Sequence, residues 1–267
     1  MRREVGVELQ VEITEPTHLE LQIAVAQQPG VEVTEQLSVA LNGQQVEPVE
    51  IAGPHGTRIH TLPAGGGTLS VQYTATILGR AEPPPVTAYD LLAYLRPSRY
   101  AEADKFYGFA ATEFGIFADS ATLLERVSSW VGTRLNYVPG SSDPIDGAVD
   151  TLLSGAGVCR DFAHLVVALL RAVTVPARMV SVYAPGLYPM DFHAVVEAFV
   201  EGQWRVVDGT LLAPRSSLVR IATGRDAADT AFLSNHSGTI ALDKLAVTAV
   251  VDGELPGDSV DELVSIG

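Results

Sequence analysis

Period-two alternation dominates the first eighty residues. In VGVELQVEI (5–13), Val5, Val7, Leu9, Val11 and Ile13 alternate with Gly, Glu and Gln. HLELQIAV (18–25), QLSVALNG (36–43) and LSVQYTATI (69–77) repeat the pattern, with turn residues between them at Pro29-Gly30, Asn42-Gly43 and Gly65-Gly66-Gly67. A strand places alternate side chains on opposite faces, so these runs predict half-buried antiparallel strands. Their number and spacing predict a small β-sandwich over residues 1–80.

GRAEPPPV (79–86) interrupts the pattern. Consecutive prolines cannot donate to a ladder and favour an extended spacer, so this stretch reads as a linker. Helical periods follow. DSATLLERVSSWVGTRL (119–135) opens with Asp119 and Ser120 as cap candidates and puts Leu123, Leu124, Val127, Trp130 and Val131 on one face. A short helix is predicted over 146–153, ending at Ser154-Gly155. In GAGVCRDFAHLVVALLRA (155–172), Phe162, Leu165, Val166 and Leu169 keep helical spacing, Val173 continues it, and Pro176 ends it. RMVSVYA, HAVVEAFV and QWRVVDG then read as strands, the last two joined by a Glu201-Gly202 turn. AVTAVV (246–251) is a further strand, and the acidic tail 251–267 is expected to fray. Together these elements predict an α+β chain with a sandwich at 1–80 and a second domain at 86–250.

Composition narrows the function classes. Hydrophobic residues make up 47% of the 267, enough for a substantial core, and the formal charge is −15. Without a basic run longer than Arg2-Arg3, neither nucleic acid nor an anionic membrane surface is an expected partner. A single cysteine excludes an internal disulfide framework and fits a reducing compartment. No apolar stretch of leader type follows the two arginines and no run suffices to span a bilayer, so a cytoplasmic location is expected.

That cysteine, Cys159, stands where the 155–172 segment turns helical. A thiol has a pKa of about 8.5, and at helix N-termini the range falls to roughly 3.5–7.5, because free first-turn N–H groups and the macrodipole favour the thiolate. Gly155 and Gly157 leave room for a substrate backbone, and the Cys159 N–H is suited to donate to an oxyanion. A small buried hydrophobe at a helix start would also explain the residue. A cysteine mechanism further needs an imidazole and a group that orients it. His193 leads HAVVEAFV in an alternation with Val195, Glu197 and Phe199, and Asp208 ends the neighbouring strand of the predicted hairpin. Cys159, His193 and Asp208 thus form a coherent set. Tyr137 is a candidate second oxyanion donor and Asp161 a candidate helix-capping or site-lining residue. His164 lies about 140° around the helix from Cys159 and reads as structural or surface. Asp226, Asp229 and His236 are weaker candidates for a loop near the site. No metal-ligand spacing is present.

GVCRDFAHLVVALLRAVTVPAR, HAVVEAFV and WRVVDGT, in that order, resemble the three motifs of the transglutaminase-like superfamily in its bacterial, papain-like branch. LRPSRY (95–100) and GRDAADTAFL (224–233) also resemble segments of bacterial members, and the resemblance covers residues 86–235. It implies a papain-like transglutaminase core, a Cys-bearing helix packed on an antiparallel sheet carrying His and Asp, behind the β-sandwich. It implies Cys159 as nucleophile, His193 as general base and acid, and Asp208 as orienting carboxylate. It also implies thioester chemistry on peptide or glutamine amides, with a peptide or protein substrate and no cofactor. Peptidase or amidase activity is favoured here, with protein-glutamine cross-linking and a catalytically silent scaffold as alternatives. Val195, a candidate site-lining residue in the wall beside the histidine, stands where many members have Trp, Gly209 where Pro is frequent, and Thr174 where Gly is usual.

Overall fold

The computed structural model describes residues 1–115 and 118–267. The N-terminal region supplies β1 (Arg2–Ile13), β2 (Thr17–Leu21), β3 (Val31–Leu41), β4 (Gln44–Gln45), β5 (Val49–Ala52), β6 (Arg58–Ala64) and β7 (Gly67–Gly79). Then come α1 (Ala88–Ala93), α2 (Tyr107–Phe114), α3 (Ser120–Arg134), β8 (Asn136–Tyr137), α4 (Ala148–Ser154), β9 (Ala156–Gly157) and α5 (Cys159–Ala172). The chain continues through β10 (Ala177–Tyr183), β11 (Phe192–Val200), β12 (Gln203–Val207) and β13 (Val219–Gly224). It closes with α6 (Ala227–Thr230), β14 (Leu233–His236) and β15 (Ile240–Val251). No described helix is long and apolar enough to cross a membrane.

Two antiparallel sheets, β15-β1-β7-β3-β4 and β14-β2-β6-β5, form the sandwich. The alternation read in the sequence is its core: Val5, Val7, Leu9, Val11 and Ile13 of β1 meet Leu19, Leu21, Leu62 and Ala64 of the facing sheet. Burying each such aliphatic side chain stabilises the fold by roughly 1.5–3 kcal/mol.

The expected boundaries change here. β15, assigned above to the second domain, pairs with β1 from Arg3↔Val251 to Ile13↔Ile240, and β14 pairs with β2. The sandwich is therefore completed by the C-terminal part of the chain. Without β15, the outer edge of β1 would present unpaired backbone groups. Nor is the tail frayed. Ile266 is buried in the core, Val264 bridges to Val206, and Arg3 donates to the Gly267 carbonyl at 2.5 Å. Asp258 accepts from the Arg215 guanidinium at 2.9–3.2 Å. Valine, isoleucine and a paired carboxylate make an acidic tail dock where its composition alone suggested solvent.

The second half is a helical layer on the sheet β12-β11-β10-β13. α5 lies at its centre, with Phe162, Leu165, Val166 and Leu169 packed among α2, α3 and the sheet. Ala194, Val196, Ala198 and Val200 of β11 face this cluster. The opposite face of β11 is covered as well: Val195 packs with Val180, Val182, Val206 and Ile266. On that face the fully buried Glu197 is clamped by Arg178 at 2.7 Å and Arg220 at 2.5 Å. The two arginines hold its carboxyl down at about 2 although burial acts to raise it. α5 exits through Thr174 at φ 65, a left-handed backbone that explains the glycine usual there and that strains a β-branched residue.

Candidate active site

The approach to Cys159 is built by short-range contacts. β8 and β9 pair in parallel, Tyr137 opposite Gly157, which brings residue 137 alongside the chain two residues before the cysteine. The Asp161 carboxylate accepts from the Val158 N–H at 2.8 Å and closes the first turn of α5. A Cβ on Gly157 would sit 2.6 Å from the Asp161 Cβ, so the glycine is required for this approach. Arg160 then ties the preceding loop down, donating to Ser142 Oγ at 2.7 Å and to the Asp143 carbonyl at 2.5 Å. Asp161 is itself buried. Of its two expected roles, capping is the one it fills, and it does not line an open site. Cys159 is the first residue of the helix and is partly exposed.

The β11–β12 ladder runs from Val200↔Gln203 to Val196↔Val207 around a turn in which Glu201 and Gly202 both take positive φ. Asp208 follows the last rung, and its side chain reaches diagonally to His193 on the same face. His193 Nε2 and Asp208 Oδ2 are 2.7 Å apart and both residues are buried. The second carboxylate oxygen accepts from the Thr210 N–H at 2.9 Å and the Thr210 hydroxyl at 2.7 Å. Burial disfavours the charged ring, but the Asp208 carboxylate and then the Cys159 sulfur outweigh it and push His193 up to about 10. Asp208 moves the opposite way, below the usual carboxylate range: burial would raise it, and His193 and Thr210 prevail. Nδ1 of His193 is buried and has no hydrogen-bond partner. With Nε2 committed to Asp208, Nδ1 is the nitrogen left for the thiol.

Tyr137 is 41% exposed, and its ring centroid lies 6.0 Å from that of Phe162. Burial, reinforced by the charge of Cys159, raises its phenol to about 12, so the hydroxyl remains a donor at neutral pH. Val195, expected to form a wall beside the histidine, is buried in the cluster behind the sheet. His164 is structural and fully buried, stacked on Tyr100 and accepting from the Ala227 N–H at 3.2 Å. The weaker loop candidates lie elsewhere. Asp226 caps α6 and holds the Tyr100 N–H, Asp229 pairs with Arg225, and His236 pairs with Glu20 on the sandwich.

Two neighbours of the site escaped the sequence reading. Thr210 orients Asp208, and the Asp-x-Thr spacing typical of a side-chain turn was its signal. Asp191 precedes β11, and its signal was proximity to His193 alone.

The model of the transglutaminase-like superfamily matches residues 115–209, the span that contains Cys159, His193 and Asp208. A candidate cysteine protease from Cytophaga hutchinsonii, known as a crystal structure, is 32% identical with a TM-score of 0.88. That match covers 97% of this chain and 93% of that one. An uncharacterized protein of Mycobacterium leprae is 31% identical over 126 residues, 43% of this chain and 44% of that protein. An uncharacterized protein of Mycobacterium bovis is 30% identical over 142 residues, 53% of this chain and 36% of that protein. The chain thus spans less than half the length of these mycobacterial relatives.

Proposed function

The chain belongs to the transglutaminase-like superfamily, and on that footing we propose that it is a cysteine peptidase or amidase acting on peptide or glutamine amides. The observation that carries this reading is the buried His193–Asp208 pair at 2.7 Å, with a second ring nitrogen left for a partly exposed cysteine at a helix start.

The chemistry follows from these positions. His193, charged at neutral pH, holds on Nδ1 the proton it shares with Cys159, and the sulfur attacks the amide carbonyl. The tetrahedral oxyanion forms beside the Cys159 N–H and within reach of the Tyr137 hydroxyl, both donors. The C–N bond then breaks as His193 returns its proton to the leaving amine. A thioester remains on Cys159. His193 next takes a proton from water, whose oxygen attacks the thioester; the acid is released and the thiol recovers its proton. Asp208 stays ionised throughout and holds the ring in one orientation.

The test is a glutamine-containing peptide offered with a labelled primary amine and followed by mass spectrometry. Hydrolysis without amine incorporation, lost in Cys159→Ala, supports the proposal. Incorporation in place of hydrolysis assigns a transferase. Neither product, together with no acyl adduct on Cys159, refutes the enzyme reading and favours the scaffold alternative.

A further inference from the structure

One main-chain edge beside Cys159 has no part in the steps above. β8 and β9 form a small sheet of their own. The Asn136 N–H donates to the Gly155 carbonyl at 2.9 Å, and the Val138 N–H donates to the Gly157 carbonyl at 3.0 Å. Successive residues of a strand turn their N–H and C=O to opposite edges. With residues 136 and 138 turned to β9, the N–H and C=O of Tyr137 point the other way. Among the described residues neither has a hydrogen-bond partner.

The far edge of β9 is closed by contrast. Ser154 Oγ donates to the Ala156 carbonyl at 2.9 Å and accepts from the Ala156 N–H at 3.4 Å. The open edge of this sheet is therefore that of β8, where Asn136, Tyr137 and Val138 are all exposed. It is held firmly on its other sides. The Tyr137 ring packs on Phe162 of α5, with centroids 6.0 Å apart. Arg160, the neighbour of Cys159, donates to Ser142 Oγ and to the Asp143 carbonyl in the loop that follows β8. Tyr137 stands opposite Gly157, two residues before Cys159. A strand added to β8 would lie about 4.8 Å beyond it, and a few extended residues, at about 3.3–3.6 Å each, bridge from there to the sulfur. A free donor and a free acceptor on one fixed residue are what an added strand needs.

We propose that the acyl donor is a polypeptide bound in extended form as a third strand on β8, one of its residues exchanging both main-chain hydrogen bonds with Tyr137. The inference rests on the function proposed above and names its substrate class: a main chain recognised by its own N–H and C=O groups, in place of an isolated glutamine side chain. Antiparallel pairing is the form in which a single residue supplies both bonds. The acyl part is the one that stays on Cys159 as the thioester and has to be held through both steps.

The test uses the intact chain and its one cysteine. Chloromethyl ketones alkylate a thiolate with loss of chloride and need no turnover. Chloroacetone is compared with a blocked tetra-alanine chloromethyl ketone and with versions of it N-methylated at each residue in turn, all rates normalised to free cysteine. The tetrapeptide reagent reacts faster than chloroacetone. N-methylation of one residue slows it about tenfold, while methylation of the adjacent residues, whose N–H groups point away, changes the rate by less than about twofold. Hydrogen exchange of the Tyr137 amide, followed by NMR, slows about tenfold or more in the tetrapeptide adduct and not in the acetonyl adduct.

A tetrapeptide reagent no faster than chloroacetone, equal losses at every N-methyl position, or Tyr137 exchange that is the same in both adducts overturns the inference. The proposed function then still stands, since Cys159 has reacted. A Cys159 that none of these reagents alkylates at neutral pH refutes the proposed function itself, and the substrate class with it.

Discussion

Asp208→Asn removes one negative charge 2.7 Å from His193 Nε2 with little change in shape. In the native protein burial drives the ring toward its neutral form, and Asp208, then Cys159, reverses this and raises it to about 10. Against an unfolded value of about 6.5, that gap corresponds to roughly 5 kcal/mol in favour of the imidazolium. The folded value is the raised one. The stabilisation is therefore fully present below about pH 6.5 and drains away as pH climbs through about 10. With Asn at 208 the burial effect dominates, the ring is neutral at pH 7, and stability there falls on the order of 3–5 kcal/mol. The assay is an NMR titration of ring-labelled histidine, with His193→Gln assigning the resonance among six histidines. Wild type shows no His193 titration between pH 5 and 8; the variant titrates below the ordinary histidine range. Peptide cleavage falls by a factor on the order of 10³ or more, since an amide at this position disturbs the tautomer the mechanism needs. A His193 midpoint that stays high in Asp208→Asn would refute the reasoning, because the carboxylate would then not be what holds the charge on the ring.

Three further outcomes follow from the same structure. Glu197→Gln leaves two buried arginines without their shared anion and costs about 3–5 kcal/mol, read as a lowered Tm. Because the folded Glu197 sits at about 2, its contribution is present above the ordinary carboxyl range and is lost as pH falls toward 2, so the variant is flatter in acid titration. Gly157→Ala forces the Asp161 side chain, 2.6 Å from the new Cβ, out of its capping position; Cys159 alkylation and peptide cleavage both drop while far-UV circular dichroism stays near native. Asp258→Ala frees Arg215 from the C-terminal segment, and limited proteolysis in residues 252–262 accelerates. In wild type the low Asp258 carboxyl, drawn down by Arg215 against partial burial, makes the same segment loosen as pH falls through the acid range.

Much of the chemistry was legible in the linear chain because it is encoded locally. Cys159 announces itself by the glycines before it and the helical spacing after it. The hairpin turn at Glu201-Gly202 sets how far His193 and Asp208 lie along adjacent strands, and a two-residue turn leaves little freedom in that register. The alternation in β1 and β7 similarly marks the sandwich core. Residue type was also sufficient to group the three motifs in order. It was insufficient for Val195, since alternation names a face of a strand without saying what covers it; here both faces of β11 are covered.

What tertiary structure alone decided is the set of partners that stand far apart in sequence. β15 reads as a strand wherever it pairs, and only the free edge of β1 made it part of the N-terminal sandwich. The acidic tail looked soluble until Arg3 and Arg215 supplied buried donors for it. Nothing near residue 197 in the chain shows that two arginines, at 178 and 220, converge on one glutamate; β10 lies between β11 and β13 and brings them there. Local sequence encodes side-chain period, turns and caps, because these depend on neighbours within a few residues. Strand order, and the charge pairing that follows from it, depends on which edges and faces remain unsatisfied once every local element has formed.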